Sequence, residues 1–265
     1  MATRTRTEYA NGQFCWVDLM TNDVTAAQEF YGELLGWESA KKETPGGPPY
    51  RVFTIDDLQV AGMGAMNDEM KSTGMPPIWN SYINVDDITA STRRAQACGG
   101  TVLMEPFQIM DAGHMAIISD PSGAVVSFWQ GLDHFGAEMI NDPGCWSWNE
   151  LLTDNVGASL EFYGGLFGWA VEKEESDATS YWTFQLNDRP LAGMLQKTPE
   201  MGDIPSCWGV YFSVADIQAT TARVVQLGGT ICQPPFEVSV GHISIVSDPQ
   251  GAVFDLIQMT VPVDD

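Results

Sequence analysis

Residues 14–21 alternate in character. Trp16, Asp18 and Met20 fall on one side, and Cys15, Val17, Leu19 and Thr21 on the other, which is the period of a strand with a different environment on each face. Asn22 or Asp23 can cap a helix after it. Ala26, Ala27, Phe30, Tyr31, Leu34 and Leu35 then recur at helical spacing and make one apolar stripe, which Gly36 ends. Strands are predicted around 50–55 and 58–66. The plan then repeats, with a strand at 80–85, a helix from about Ile88 to Ala97 stopped by Gly99-Gly100, and strands around 101–105, 113–118 and 124–130. Asp120-Pro-Ser-Gly123 supplies the turn before the last strand.

The whole arrangement occurs a second time. Phe30-Tyr-Gly-Glu-Leu-Leu-Gly-Trp37 returns as Phe162-Tyr-Gly-Gly-Leu-Phe-Gly-Trp169, an offset of 132 (162 − 30). Trp16-Val-Asp-Leu-Met-Thr21 maps onto Trp148-Asn-Glu-Leu-Leu-Thr153 at the same offset. Ala61-Gly-Met63 matches Ala192-Gly-Met194, and Trp79 and Tyr82 match Trp208 and Tyr211. Gly113-His-Met-Ala-Ile-Ile-Ser-Asp-Pro-Ser-Gly123 matches Gly241-His-Ile-Ser-Ile-Val-Ser-Asp-Pro-Gln-Gly251. Blocks kept in order over so long a period indicate two whole domains, not a solenoid. The expected domains are 8–133 and 144–262, joined by a Gly-, Asn-, Asp- and Pro-containing linker.

These motifs resemble the vicinal oxygen chelate superfamily, which holds glyoxalases, extradiol dioxygenases and bleomycin resistance proteins. The marks are a helix ending in Phe-Tyr-x-x-Leu-[Leu/Phe]-Gly-Trp and a late Asp-Pro-x-Gly turn, both present twice. The tandem form is similar to actinobacterial proteins loosely labelled glyoxalase-like or hydroxylase. The resemblance implies an α+β fold of tandem glyoxalase-like domains. Each would have two βαβββ modules, whose mixed sheet curls into a cup with helices outside and a small-molecule ligand inside. Alternation assigns the cup-facing set as Trp16, Asp18, Met63, Tyr82, Ser127 and Trp129 in the first half. In the second it is Trp148, Glu150, Met194, Tyr211, Asp255 and Ile257. The opposite face of the second strand, Ser147, Asn149 and Leu151, is less apolar than a helix-covered face should be.

The resemblance also implies where a metal would bind, and the residues there do not suit one. The first-ligand position falls on Trp16 and Trp148, the second near Asn80 and Gly209, and the late glutamate on Ser127 and Asp255. Only Asp255 is a ligand type, so the expectation is no cofactor, with a divalent metal held by Glu150, Asp255 and His242 as the minor alternative. Aromatics and Met around a few polar groups describe a site for a flat or apolar molecule. Asp18 and Glu150 are the candidate catalytic carboxylates, since a partly desolvated acid beside Trp suits proton transfer. His114 and His242, a duplicated pair before the Asp-Pro turns, are secondary catalytic candidates whose bland role is structural hydrogen bonding. His134 is expected to be solvated in the linker. Three functions follow: a metal-independent enzyme on an aromatic or polyketide-like metabolite, a ligand-sequestering protein, or a metal-dependent lyase or dioxygenase.

Composition narrows the partners. The formal charge is −23 with 12 basic residues, none in a run longer than two, which argues against nucleic acid. No apolar stretch is long enough for a membrane span. The first seven residues carry charge without an apolar segment behind them, so a short disordered lead and a cytoplasmic protein are expected. Five cysteines without CxxC spacing read as reduced, mostly buried thiols. The chain is expected to be a monomer with paired halves or a homodimer.

Overall fold

The computed structural model describes residues 5–42, 50–174 and 180–260. The first half runs β1 (Phe14–Thr21), α1 (Val24–Leu35), β2 (Glu38–Lys42), β3 (Tyr50–Ile55), β4 (Leu58–Ala65), a short α2 (Asp68–Ser72), β5 (Ile78–Asn84), α3 (Ile88–Ala97), β6 (Thr101–Ile109), β7 (Gly113–Ser119) and β8 (Val125–Gly131). The second runs β9 (Trp146–Thr153), α4 (Val156–Phe167), β10 (Ala170–Glu174), β11 (Tyr181–Leu186), β12 (Arg189–Gln196), a 3₁₀ turn (Pro199–Met201), β13 (Cys207–Ser213), α5 (Ile217–Gln226), β14 (Thr230–Val238), β15 (Gly241–Ser247) and β16 (Val253–Met259). The expected four βαβββ modules are therefore present. Strands β2 and β10 add to the elements that the hydrophobic pattern predicts. They border their sheets, and β10 is exposed along its length, so backbone pairing holds it without an apolar pattern.

Each half is one eight-stranded mixed sheet, in the order β2-β3-β4-β1-β5-β8-β7-β6 and its equivalent β10-β11-β12-β9-β13-β16-β15-β14. The two modules of a half meet edge to edge where β1 runs antiparallel to β5, with Trp16 opposite Tyr82 and Asp18 opposite Asn80. Local chemistry sets the helix ends. Asp23, not Asn22, caps α1 by accepting from the Thr25 and Ala26 amides, and Gly36 takes a left-handed conformation that lets its N–H reach the Gly32 carbonyl.

The repeated signature builds the joint between the halves. Tyr31 Oη donates to Asp248 Oδ2 of the opposite half (3.2 Å) and accepts from Trp79 Nε1. Tyr163 does the same with Asp120 (3.2 Å) and Trp208. Trp37 Nε1 donates to the Gly144 carbonyl and Trp169 Nε1 to that of Gly12. Asp120 and Asp248 each use one oxygen for the amides of their own turn and offer the other to the partner tyrosine. The unexpected polarity of β9 belongs to this joint: Asn149 Nδ2 donates to Ser81 Oγ across it (2.7 Å), and its oxygen accepts from Trp146 Nε1.

Two expectations about the periphery change. The lead residues 1–4 lie outside the described residues, but Thr5 pairs with Met139 and the Arg6 amide donates to the Glu138 carbonyl, so the lead is ordered from Thr5. The linker is packed as well, through Ala137 to the Cys15 carbonyl and Glu138 to the Gln59 carbonyl and amide. No helix among the described residues is long and apolar enough to cross a membrane.

Candidate functional site: two unequal cups

Register decides which side chains share the concave face, because directly paired residues point the same way. Trp16 pairs with Tyr82, Tyr82 with Ser127, and Asn84 with Trp129, so Trp16, Tyr82, Ser127 and Trp129 line the first cup. Asp18 is paired with Gly62 on its other side, which puts Gly62 in the cup and turns Met63 to the opposite face beside Leu19. Gly193 pairs with Glu150 and Met194 with Leu151 in the same way. Met63 and Met194 are thus fully buried core residues, not cup residues. The two histidines also fall on the wrong face. His114 pairs with Gln130 and alternates with Ile117, the partner of Ser127, so it lies on the helix side with Ala116 and Ile118. His242 pairs with Gln258 in the same position. Gln130 and Gln258 accept the first amides of α3 and α5, so both histidines border helix starts, away from the carboxylates.

In the first cup Asp18 is 3 % exposed and saturated with donors. It accepts from Tyr50 Oη (3.1 Å), Tyr82 Oη (2.8 Å) and Asn80 Nδ2 (2.9 Å). Trp16 Nε1 donates to Tyr50 Oη (3.0 Å), and the Ser127 hydroxyl bonds to Tyr82. Burial pushes the Asp18 carboxyl above its ordinary range, and these bonds pull it back. The expected solvated His134 instead sets its ring edge-on against Trp16, 4.5 Å between centroids, and beside Trp129, whose Nε1 donates to the His134 carbonyl. The floor of this cup is closed and internally satisfied.

The second cup is more open. Trp148 and Glu150 are partly exposed, where their counterparts Trp16 and Asp18 are buried. Tyr211 Oη donates to Glu150 Oε1 (3.0 Å), and Tyr181, itself bonded to Trp148, donates to Glu150 as well. The place of Asn80 is taken by Gly209, and that of Ser127 by Asp255. Asp255 pairs with Tyr211 on the cup face and leans over Gly209, where an added Cβ would lie 3.1 Å from Asp255 Oδ2. Burial raises the Asp255 carboxyl well above its ordinary range, and the Glu150 charge raises it further. Glu150 is also raised by burial, but its two tyrosine donors oppose this. Both carboxyls are thus pushed above their ordinary ranges, and the tyrosine donors favour the charged form of Glu150 while none is shown acting on Asp255. Cys207 lies on the same face near the rim, its thiol raised by burial and by Asp255.

Tyr50, Tyr181, Gly62, Gly193 and Cys207 join the site although the sequence pattern does not single them out. The tyrosines recur at the same offset of 131 as Ala61 and Ala192, which is the available signal. A Cβ at either glycine would collide with the tyrosine hydroxyl, so the two features are one device. Two further concavities are grooves at the joint, one along Leu34, Pro143 and Val214, the other along Phe30, Glu33 and Arg223; neither gathers buried acids. A family-type metal does not fit the residues present. Trp16 and Trp148 offer no ligand, and among the described residues no group of three His, Cys, Asp or Glu is placed to share an ion.

Residues 13–128 and 131–256 each match the family model described as the Glyoxalase/Bleomycin resistance protein/Dioxygenase superfamily. The chain belongs to this superfamily. It is 40% identical over 256 residues, covering 96% of this chain and 97% of the relative, to "Putative glyoxylase CFP32" of Mycobacterium tuberculosis (strain CDC 1551 / Oshkosh). It is 34% identical over 266 residues, 96% of this chain and 95% of the other, to the anthracycline biosynthesis protein DnrV of Streptomyces peucetius. Among solved structures, the Mn(II)-bound glyoxalase from Novosphingobium aromaticivorans shares the fold with a TM-score of 0.66 at 16% identity, over 99% of this chain and 85% of that one. The 2,3-dioxygenase LapB from Pseudomonas sp. KL28 does so with a TM-score of 0.67 at 12% identity, over 97% of each chain. As a superfamily member the protein is glyoxalase-like or dioxygenase-like in its broad character.

Proposed function

We propose that this superfamily member acts on a small, flat, largely apolar metabolite of aromatic or polyketide type, in its second cup, by metal-independent proton transfer at Glu150. The observation that carries the reading is the state of Glu150. Its carboxyl is held by Tyr181 and Tyr211, partly exposed, and backed by Trp148. A carboxylate oriented by two phenols and facing an aromatic wall can take a proton from a substrate carbon or hydroxyl and return it elsewhere, as in an isomerase or lyase step. The 34% identity to an anthracycline biosynthesis protein supports a polycyclic aromatic substrate class. In this reading Trp148, Tyr211 and Asp255 contact the substrate. Trp16, Asp18, Tyr82, Ser127 and Trp129 form the packed floor of the partner cup, and His114 and His242 take no part in the chemistry.

Glu150→Gln removes the base but keeps the shape and a hydrogen-bonding group. It should lower turnover by a factor of roughly 10²–10⁴ while leaving ligand affinity within a few-fold. Unchanged turnover would sink the reading. Tight binding with no turnover in the unmodified protein, across a panel of polycyclic ketones and phenols, would favour a sequestering protein instead. Stoichiometric Fe, Mn, Ni or Zn in the purified protein would favour metal-dependent chemistry.

A further inference from the structure

The second cup contains one buried group that proton abstraction by Glu150 leaves unexplained. Asp255 is 8 % exposed, and among the described residues no hydrogen-bond donor reaches its carboxyl. Buried carboxyls ordinarily have such partners. Its equivalent in the first cup, Ser127, is bonded to Tyr82. The space that Asp255 faces is also peculiar to this half. Asn80 fills it in the first cup and donates to Asp18; in the second, Gly209 has no side chain there and Asp255 takes up the room, its Oδ2 3.1 Å from where a Gly209 Cβ would lie.

We infer that Asp255 is the acid of the second cup, donating a hydrogen bond, and then its proton, to a carbonyl oxygen of a substrate bound against it. The inference rests on the proposed use of the second cup and names its substrate class: a planar molecule with a carbonyl group beside an acidic C–H. The surroundings of Asp255 require this polarity of role. An ionised Asp255 would have no donor and would stand near a second carboxyl, Glu150, with its carboxylate largely withdrawn from water. The groups that interact with it are Glu150 from β9 and Cys207 and Tyr211 from β13; beyond them Tyr181 from β11 interacts with Glu150 and Tyr211, and Lys197, just past β12, with the Cys207 thiol. None of these gives Asp255 a compensating hydrogen bond. A neutral carboxyl has an O–H to donate, and a ligand carbonyl on the cup face can accept it.

The chemistry balances without a metal or a redox partner. Glu150 removes a proton from the carbon next to the carbonyl as Asp255 gives its proton to the carbonyl oxygen. The C–H electron pair becomes the new C=C bond, and the carbonyl π pair takes up the new O–H. The product is an enol, with Glu150 now protonated and Asp255 ionised. Where the enol is conjugated with a further C=C bond, Glu150 returns the proton to the far carbon as the enol O–H proton goes back to Asp255; the C=C bond shifts, the carbonyl re-forms, and both carboxyls are restored. Asp255 thus occupies the position where the family resemblance expects a metal ligand and performs a metal's polarising task with a proton.

Infrared difference spectroscopy of the intact protein tests this directly. A protonated-carboxyl C=O band should be present at pH 7 in the unmodified protein and missing from Asp255→Asn. Its absence from the unmodified protein overturns the inference. Binding supplies a second, turnover-free readout, with a hydroxyanthraquinone and the parent anthracene as probes followed by Trp fluorescence. The quinone should bind more tightly than anthracene, and Asp255→Leu should cut that preference about tenfold, the worth of one buried hydrogen bond. Asp255→Asn, which can still donate, should keep most of it. Equal preference in all three proteins overturns the inference. Loss of turnover in Glu150→Gln tests the base alone. A surviving acid band and quinone preference with full Glu150→Gln activity would refute the base and leave the Asp255 assignment standing.

Discussion

The two cups descend from one plan, and they differ most where chemistry would occur. Both place an acid between two tyrosines, with a tryptophan Nε1 steadying one of them. In the first cup a third donor, Asn80, completes the shell of Asp18, and the His134 ring packs on Trp16. In the second cup the donor is replaced by Gly209 and a second acid, Asp255, enters. The same framework therefore yields a satisfied, buried carboxylate in one half and an acid pair with spare hydrogen-bonding capacity in the other. A fully partnered acid stabilises a fold; an incompletely partnered one is available to a ligand.

Exchanging acids for amides separates the two cups most sharply. Glu150→Gln should lose activity by roughly 10²–10⁴. Asp18→Asn should change turnover less than about threefold and instead destabilise the fold by about 1–3 kcal/mol, through mispaired donors. Chemical denaturation alongside steady-state assays would show the split; equal activity losses would mean that both cups are catalytic. The glycine–tyrosine devices give a second contrast. Gly62→Ala and Gly193→Ala each displace a tyrosine hydroxyl. The first should cost about 1–3 kcal/mol, since it opens a buried network. The second should reduce turnover about tenfold, because Glu150 loses one orienting donor.

The joint serves as the symmetrical control. Tyr31→Phe and Tyr163→Phe each remove one Tyr–Asp bond and one Trp–Tyr bond. Each should lower stability by about 1–2 kcal/mol, or roughly 2–8 °C in Tm for a chain of this size, to a similar extent. Markedly unequal losses would show that one half depends on the joint more than the other.

A further contrast between the cups concerns pH. Asp255 and Glu150 titrate higher in the folded protein than their ordinary 3.8 and 4.5, because burial disfavours their charge. The folded state then binds more protons over that interval, so their contribution is fully present below the ordinary values and is lost as pH rises through the raised ones. Asp255→Asn removes this term and should leave the protein more stable than the unmodified chain at pH 8, with little difference at pH 4, as thermal unfolding at the two pH values would show. Ser127→Ala, its first-cup counterpart, should show no such pH-dependent gain. A stability gap that does not widen from pH 4 to pH 8 would contradict the raised Asp255 assignment.

Much of the fold is legible because it rests on local periodicity repeated twice. The alternation at 14–21, the stripe of α1 and the turn chemistry at Asp120 and Asp248 each specify an element from its own residues. The site is legible only in part. Strand parity alone puts Trp16, Asp18, Tyr82, Ser127 and Trp129, with their second-half equivalents, on one face, and the register keeps them together. Met63 and Met194 leave that face because nothing local says whether a glycine or its neighbour lines a cup; the pairing of Gly62 with Asp18 decides it. His114 and His242 draw attention as residue types, but one step of parity sets them on the helix side.

By itself, then, the sequence determined the duplication, the four modules and the superfamily likeness, since all of these depend on residue order and type. Tertiary structure decided what the signature motifs do and which cup has chemistry to offer. Tyr31 meets Asp248 at a separation of 217 residues, and Asn149 meets Ser81 at 68. Whether Asp18, Glu150 or Asp255 is satisfied depends on donors delivered by other strands. Hydrogen-bond saturation and burial are properties of an assembled surface, and no window of sequence contains them.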